Sequence, residues 1–341
     1  MTIASYLILA YPRELIANLI FVNASKFQLF NRVRNISSIF VAIAVVLSII
    51  CSAWLGSDSL NWQIVMTVIA LAIGIPHGAI DHLITLPKAA PLKMASFIFI
   101  YVLIAALAIV AILKWNVWGF IFVVIMSATH FGIGDSAFLN ELDKYKVNQA
   151  KHSMPVWAYA PAAGALPVFI PLVSSRSTEA LEKVNPELIN WHHGYTNQIQ
   201  VVVVFLMVVG LSILLKFDRK RDAVDLLLLA SLAFFAPPLV AFAVYFGGWH
   251  ALRHTARLTS LLPKSEIAYQ QTNVGRAFWS AVIPGLPALV GTMLFVGGLT
   301  IFKNEDLSSS FLWNTLVTIW ALTVPHMMVT ARLDRKALSK N

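Results

Sequence analysis

The sequence predicts an all-α fold, a polytopic transmembrane helical bundle of about ten helices. Hydrophobic residues make up 58% of the 341 positions and charged residues only 12%, and the mean hydropathy is +0.75. Such a chain has too little polar surface to coat a water-soluble fold. The single cysteine, Cys51, excludes a disulfide framework and a thiolate-rich metal site.

Ten apolar runs, each near the length of a bilayer crossing, define the expected helices. They cover residues 37–55, 62–84, 94–113, 115–135, 155–173, 198–215, 223–237, 238–256, 278–300 and 311–330. If the amino terminus is cytoplasmic, most of the 25 Lys and Arg residues fall on the cytoplasmic side. The basic residues left outside are Lys114, Arg176, Lys183 and Lys303. We therefore predict that both termini are cytoplasmic.

The chain divides into three predicted parts. Residues 1–35 form an amino-terminal amphipathic segment at the membrane interface, residues 36–332 the integral membrane domain, and residues 333–341 a cytoplasmic tail. In the first part, four basic residues are expected to face anionic headgroups: Arg13, Lys26, Arg32 and Arg34. Because the basic residues are scattered through short loops, the net charge of +9 does not indicate a nucleic-acid partner.

Five histidines lie inside the apolar runs, where ionisable groups are costly and usually functional. They are His77, His130, His250, His254 and His326. The helices that carry them all run from outside to inside, and His77, for example, comes about 15 residues after its helix begins, or about 22 Å into a core about 30 Å thick. The five side chains therefore share one layer, which predicts a metal site. The alternative is that each is an independent packing residue.

His250 and His254 are the strongest local signal for a metal. Residues at positions i and i+4 share one face of a helix and can chelate one ion. Neutral imidazoles suit zinc, copper, iron or nickel, while the lack of thiolates argues against copper(I). A set of histidines that needs no carboxylate leaves open positions on a divalent ion, which suits ferrous iron holding dioxygen.

Two carboxylates are candidates for supporting the ligands. Asp81 follows His77 by four residues and Asp135 follows His130 by five, so either side chain is placed to accept a hydrogen bond from a ligand imidazole. The alternative is that both aspartates mark the cytoplasmic ends of their helices.

Small and aromatic residues surround the histidines. The glycines favour close helix packing and also leave room for a long, flat substrate. Phe131, Tyr245 and Trp249 are candidate substrate-binding residues, although aromatic stripes of this kind are more often core or interface.

Four blocks of sequence carry a family resemblance. PHGAIDH, THFGIGD, WHALRH and PHMMV occur in this order between about residues 70 and 330. Together they resemble the Brp/Blh family of membrane-bound β-carotene 15,15'-dioxygenases, which accompany microbial rhodopsins. The resemblance implies that His77, His130, His250 and His254 are catalytic and bind Fe(2+), and His326 also matches a histidine of the family pattern.

The resemblance further implies a reaction, partners and a location. β-Carotene would be cleaved by O2 at its central 15,15' double bond to give two molecules of all-trans-retinal. The partners would be these two substrates, the lipid bilayer and a microbial opsin that receives retinal. The protein would be a multi-pass protein of a bacterial or archaeal inner membrane.

Two other functions remain open from the residues alone. A membrane transporter of metal ions or protons also uses intramembrane histidines, and Pro76, Pro237, Pro238 and Pro325 would supply the broken helices it needs. Transport relays generally need sites at several depths, whereas these histidines share one. A di-iron desaturase or hydroxylase needs more histidine boxes than the one HxxxH found here.

Overall fold

The described residues of the computed structural model are 13–55, 60–86, 89–146, 153–302 and 309–339. Within these ranges the chain is helical throughout and has no β-strand, which confirms the predicted all-α class. The α-helices of these ranges are α1 (Arg13–Leu55), α2 (Leu60–Gly74), α3 (Asp81–Thr85), α4 (Pro91–Tyr145), α5 (Val156–Leu172), α6 (Ser177–Val184), α7 (Thr196–Lys216), α8 (Lys220–Phe235), α9 (Pro238–Ala243), α10 (Leu252–Thr259), α11 (Pro263–Gln270), α12 (Val274–Val282), α13 (Leu286–Phe302) and α14 (Ser309–Leu338).

Membrane character is evident from helix length and composition. In the described ranges, six helical segments are long and apolar enough to cross a bilayer. They are Phe21–Leu55, Asn61–Thr85, Pro91–Tyr145, Thr196–Lys216, Val274–Gly298 and Trp313–Leu338. Each of the ten predicted apolar runs falls on helical structure. The outward-facing surface of these helices is rich in large aliphatic side chains, as expected where lipid is the solvent.

The longest helix, α4, is a hairpin of two arms. Its backbone breaks at Asn116, whose φ is +28°, an uncommon value that Asn adopts more readily than most residues. Gly119 packs so closely on Ile112 that a Cβ there would lie 2.9 Å from the Ile112 Cα. We call residues 91–115 the first arm and residues 117–145 the second arm. Asn185 donates a 2.9 Å hydrogen bond to Asn116 and so holds the tip of the hairpin.

The amino-terminal helix differs from the interfacial segment expected from sequence. α1 runs without interruption through residue 35, where the predicted boundary lies. Arg34, expected to face lipid headgroups, is instead buried and bonded to Asp222 and Asp225 of α8. Lys26 pairs with Glu266 at 3.0 Å. Residues 1–12 of the predicted segment and the end of the predicted tail, 340–341, lie outside the described residues.

A buried network of charges ties the bundle together around Arg253 of α10. This guanidinium bonds to Asp135 of α4 at 2.8 Å, Asp225 of α8 at 3.1 Å and Ser37 of α1 at 3.0 Å. It also lies 3.4 Å from the centre of the Trp249 ring. Charges buried in this way are tolerated only when they are paired and hydrogen-bonded. The network therefore fixes how four helices are rotated relative to one another.

The second arm and α5 approach each other through glycine. A Cβ on Gly132 would lie 1.9 Å from the Ala160 carbonyl oxygen, and one on Gly164 would lie 1.9 Å from that of Ala128. Membrane helices use small residues in this way to bring their backbones together. The contact supports the packing role expected for the glycines near the histidines.

Replacement of Arg253 tests the network. In Arg253→Met, Asp135 and Asp225 lose a buried partner, and breaking such a pair costs about 3–5 kcal/mol. We expect a clearly lower thermal midpoint for the detergent-solubilised protein. Lys220→Met is the matched control, since Lys220 is exposed and its ion pair with Asp218 spans 3.6 Å. Equal midpoints for the two variants would contradict a structural role for the network.

Candidate metal centre

His77 is presented by a short turn rather than by a regular helix. After α2 ends at Gly74, residues Ile75–His77 form a 3-10 turn with Pro76 near its start. The Nδ1 of His77 hydrogen-bonds to the carbonyl oxygen of Gly74. Because a carbonyl can only accept, Nδ1 carries the proton, and Nε2 keeps a free lone pair.

His250 and His254 come from a helix with a local irregularity. Residues Val244–Ala251 form a π-helical segment, a rare conformation that often marks functional sites. His250 lies in this segment and His254 in α10, with their rings stacked at 5.9 Å between centres. Gly247 lets this segment touch α2, because a Cβ there would lie 2.0 Å from the Ala70 carbonyl oxygen.

His130 and His326 complete the group. His130 lies on the second arm of α4, and His326 follows Pro325 within α14. Their ring centres are 5.4 Å apart, and His130 is 4.9 Å from His250.

All five predicted histidines meet in one buried cluster. The centre of the His77 ring is 5.4 Å from those of His250 and His254 and 5.0 Å from that of His326. His254 and His326 are 5.1 Å apart. One ring nitrogen from each of His77, His250 and His326 lies within 4.8 Å of the other two, which makes these side chains a candidate set of ligands for one ion.

The nitrogens in this cluster fit a metal ion. The Nε2 atoms of His130, His250 and His326 and both ring nitrogens of His254 are buried and have no hydrogen-bond partner among the residues that the structure describes. A buried polar atom left unpaired costs about 1–3 kcal/mol, so a cluster of them needs an explanation. A divalent cation that accepts their lone pairs supplies one.

Asp81 supports His326. Its Oδ2 is 2.8 Å from the Nδ1 of His326 and also accepts a 3.0 Å hydrogen bond from the hydroxyl of Tyr101. The proton on Nδ1 then directs the Nε2 lone pair of His326 into the cluster. In sequence, Asp81 is nearest to His77, yet the histidine it contacts comes from the opposite end of the chain.

Asp135 has a different setting. Its carboxylate bonds to Arg253 and, at 2.5 Å, to the hydroxyl of Tyr159. These contacts belong to the buried charge network and not to a histidine. The side chain of Asp135 points away from the rings because it follows His130 by five residues, well off the same helix face.

Comparison with known proteins gives the family. A family model described as Beta-carotene 15,15'-dioxygenase matches residues 68–334, well over half of the chain. The chain belongs to the β-carotene 15,15'-dioxygenase family. A relative from an uncultured marine bacterium (66A03), named Beta-carotene 15,15'-dioxygenase, is 25% identical over 273 residues, which cover 75% of this chain and 88% of the relative. No solved structure matches the chain. The predicted family and enzyme class, a carotenoid-cleaving oxidoreductase, are confirmed.

In this family member, the histidines open into an apolar cavity of about 340 Å³, which we call the site cavity. Residues of the cluster that line it are His77, His130, His250 and His326. Its other walls come from the first arm of α4, α13 and α14. Phe131, a predicted substrate-binding residue, lies in the wall. Tyr245 lies behind Phe131, with ring centres 5.0 Å apart, and Trp249 covers Arg253, so neither is part of the lining.

Sequence reasoning missed Tyr101. This residue lines the site cavity and holds Asp81, yet it lies in the otherwise apolar run FIFIYVLIA of the first arm. A single hydroxyl in a membrane-spanning run was the available signal, because a buried tyrosine hydroxyl usually has a partner. The sequence also gives no sign of the role of Arg253, because a basic residue near the end of an apolar run is expected on the cytoplasmic side.

Replacement of Asp81 tests its support of the metal site. Asp81→Asn keeps the shape but removes the negative charge that polarises His326, and loss of such a partner lowers metal affinity about 10–100-fold. Metal content per protein after dialysis against graded chelator measures the effect. Thr323→Val is the control, since the Thr323 hydroxyl donates to the carbonyl oxygen of Ile319 in its own helix. Unchanged affinity in Asp81→Asn would show that Asp81 does not tune the site.

Proposed function

We propose that this protein cleaves the central 15,15' double bond of β-carotene with O2 to give two molecules of all-trans-retinal. The observation that carries the proposal is the cluster of five buried histidines, with unpaired nitrogens, at the wall of an apolar cavity. Family membership and the named activity of the marine relative support the reaction and its substrate.

The proposed cofactor is Fe(2+), held by His77, His130, His250 and His254, with His326 as a further ligand. Iron, when bound, supplies the redox chemistry that activates O2. Zinc also suits imidazole ligands but has no redox chemistry, so the family's reaction favours iron among the metals that fit the site.

The protein's own residues position the substrate and exclude water. β-Carotene has no polar group, so the cavity can recognise it only by shape and apolar contact. Phe131, Ile319 and Leu322 provide such contacts. Thr323 lines the same wall, but its hydroxyl is satisfied by a 2.8 Å bond to the Ile319 carbonyl oxygen and presents little polarity to a polyene.

The substrate is proposed to enter from the lipid. Ile98 and Val102 line the site cavity and are also 45% and 57% exposed on the outer surface of the first arm. The cavity therefore opens sideways, toward the solvent in which a carotenoid dissolves. This access fits a multi-pass protein of a bacterial or archaeal inner membrane with both termini cytoplasmic, which passes retinal through the bilayer to a microbial opsin.

Expression in a bacterial host that accumulates β-carotene tests the reaction. We expect the wild type to remove the orange pigment and form retinal, measured by chromatography of the extracted pigments. His130→Ala removes a ring nitrogen from the cluster and should abolish conversion. His193→Ala is the matched control, because His193 is exposed in the loop before α7 and outside the cluster. Unchanged β-carotene with wild-type protein present in the membrane would refute the proposal.

Removal and replacement of the metal tests the cofactor. We expect chelation of the purified protein to abolish retinal formation, Fe(2+) to restore it and Zn(2+) to occupy the site without restoring it, since zinc has no redox chemistry. Retinal formation after loading with Zn(2+) alone, with iron absent by elemental analysis, would rule out iron as the required metal.

A further inference from the structure

A second cavity lies beside the site cavity. It has a volume of about 380 Å³, close to the 340 Å³ or so of the site cavity. Its walls come from α3, the first arm of α4 and α14, and its lining is mainly aliphatic. Phe97 and Tyr101 belong to the walls of both cavities.

The two cavities flank the first arm of α4. Ile98 and Val102 line the site cavity, whereas Ile100 and Ile104 line the second cavity. Successive residues of a helix are turned by about 100°, so these pairs lie on opposite sides of the arm, with Phe97 and Tyr101 between them. The arm therefore lies across the place where the two cavities adjoin.

The histidine cluster is next to this junction. Along α14, His326 lines the site cavity, while Pro325, Met328 and Val329 line the second cavity. Asp81 joins His326 to Tyr101, the shared wall, through one carboxylate oxygen. His326 of the candidate metal centre is thus linked to the wall that the two cavities share.

We propose that the two cavities are the halves of one substrate channel. A linear apolar molecule crosses the junction of the two cavities beside the first arm, with its middle beside the histidines and one half in each cavity. Phe97 and Tyr101 narrow the channel at its middle, and they turn aside to admit the chain. The inference rests on the proposed function, because a substrate cut into two equal halves needs similar space on both sides of the metal.

The second cavity differs from the site cavity at its rim. Arg332 lines it and is exposed, whereas the remaining lining is mainly apolar. A guanidinium can donate hydrogen bonds to an oxygen on the end of the substrate. An apocarotenal with one complete half and one shortened half ending in an aldehyde therefore places its shortened half in this cavity.

Filling the second cavity tests the channel. In Ile104→Trp, the larger side chain occupies space needed by a complete half of the substrate, and we expect kcat/KM for β-carotene to fall at least about tenfold. For the apocarotenal, whose shortened half lies in this cavity, we expect kcat/KM to fall much less. Leu103→Trp is the matched control: Leu103 is the neighbouring residue on the same arm, 45% exposed and outside both cavity linings.

Binding without turnover gives an independent readout. Under nitrogen no cleavage occurs, and the β-carotene retained by the purified full-length protein is measured by visible absorption. We expect purified Ile104→Trp to retain less β-carotene than purified Leu103→Trp. Equal retention by the two variants, or equal losses of kcat/KM on both substrates, would overturn the channel.

The two proposals fail in different ways. If the wild type cleaves neither substrate, the proposed function is wrong, and pigment retention under nitrogen still decides whether the second cavity receives carotenoid. If Ile104→Trp does not accumulate in the membrane, Val329→Trp, on the opposite wall of the second cavity, replaces it in the same comparisons.

Discussion

The pairing of Arg253 with Asp135 and Asp225 is the constraint on which the rest of the bundle depends. A guanidinium at this level of the bundle must be matched by carboxylates from other helices, so α1, α4 and α8 can take few rotations relative to α10. Arg253 lies between His250 and His254 in sequence. The turn that satisfies the charges is therefore the same turn that aims two imidazoles at the cluster. Ligand geometry and fold are specified together by one short stretch of chain.

The histidine cluster shows the opposite kind of polar burial. Five of its ring nitrogens have no hydrogen-bond partner among the described residues, whereas His77 contacts the Gly74 carbonyl oxygen and His326 contacts Asp81. Those two contacts set the tautomer of the rings and leave the opposite nitrogens as lone-pair donors. Most of the surrounding wall is apolar, and Asp81 brings a carboxylate into the lining beside the rings. With the proposed function, such a site would hold its metal through these lone pairs and would recognise its organic substrate by shape and apolar contact.

Much of the fold was predictable because bilayer thickness restricts helix length, and histidine depth follows from counting residues along each span. Convergence of the five histidines was expected from their shared depth. Helix rotation cannot be derived from the sequence, which therefore does not show that the imidazole beside Asp81 is that of His326. The sequence around Arg34 predicts a position at the lipid surface, because nothing in that segment reveals the two aspartates of α8. The π-helical turn before α10 likewise has no clear sequence signal, since its glycines and aromatics also suit a regular helix.

Entry from lipid, as proposed at Ile98 and Val102 of the site cavity, would change what substrate concentration means for this protein. For a carotenoid that reaches the cavity through lipid, the concentration that governs binding is its amount per lipid molecule and not its amount per volume of water. Adding empty membrane would therefore slow the enzyme even when the total amounts of protein and carotenoid stay fixed. In a cell, the composition and area of the surrounding bilayer would then control the rate of substrate supply without any change in the protein.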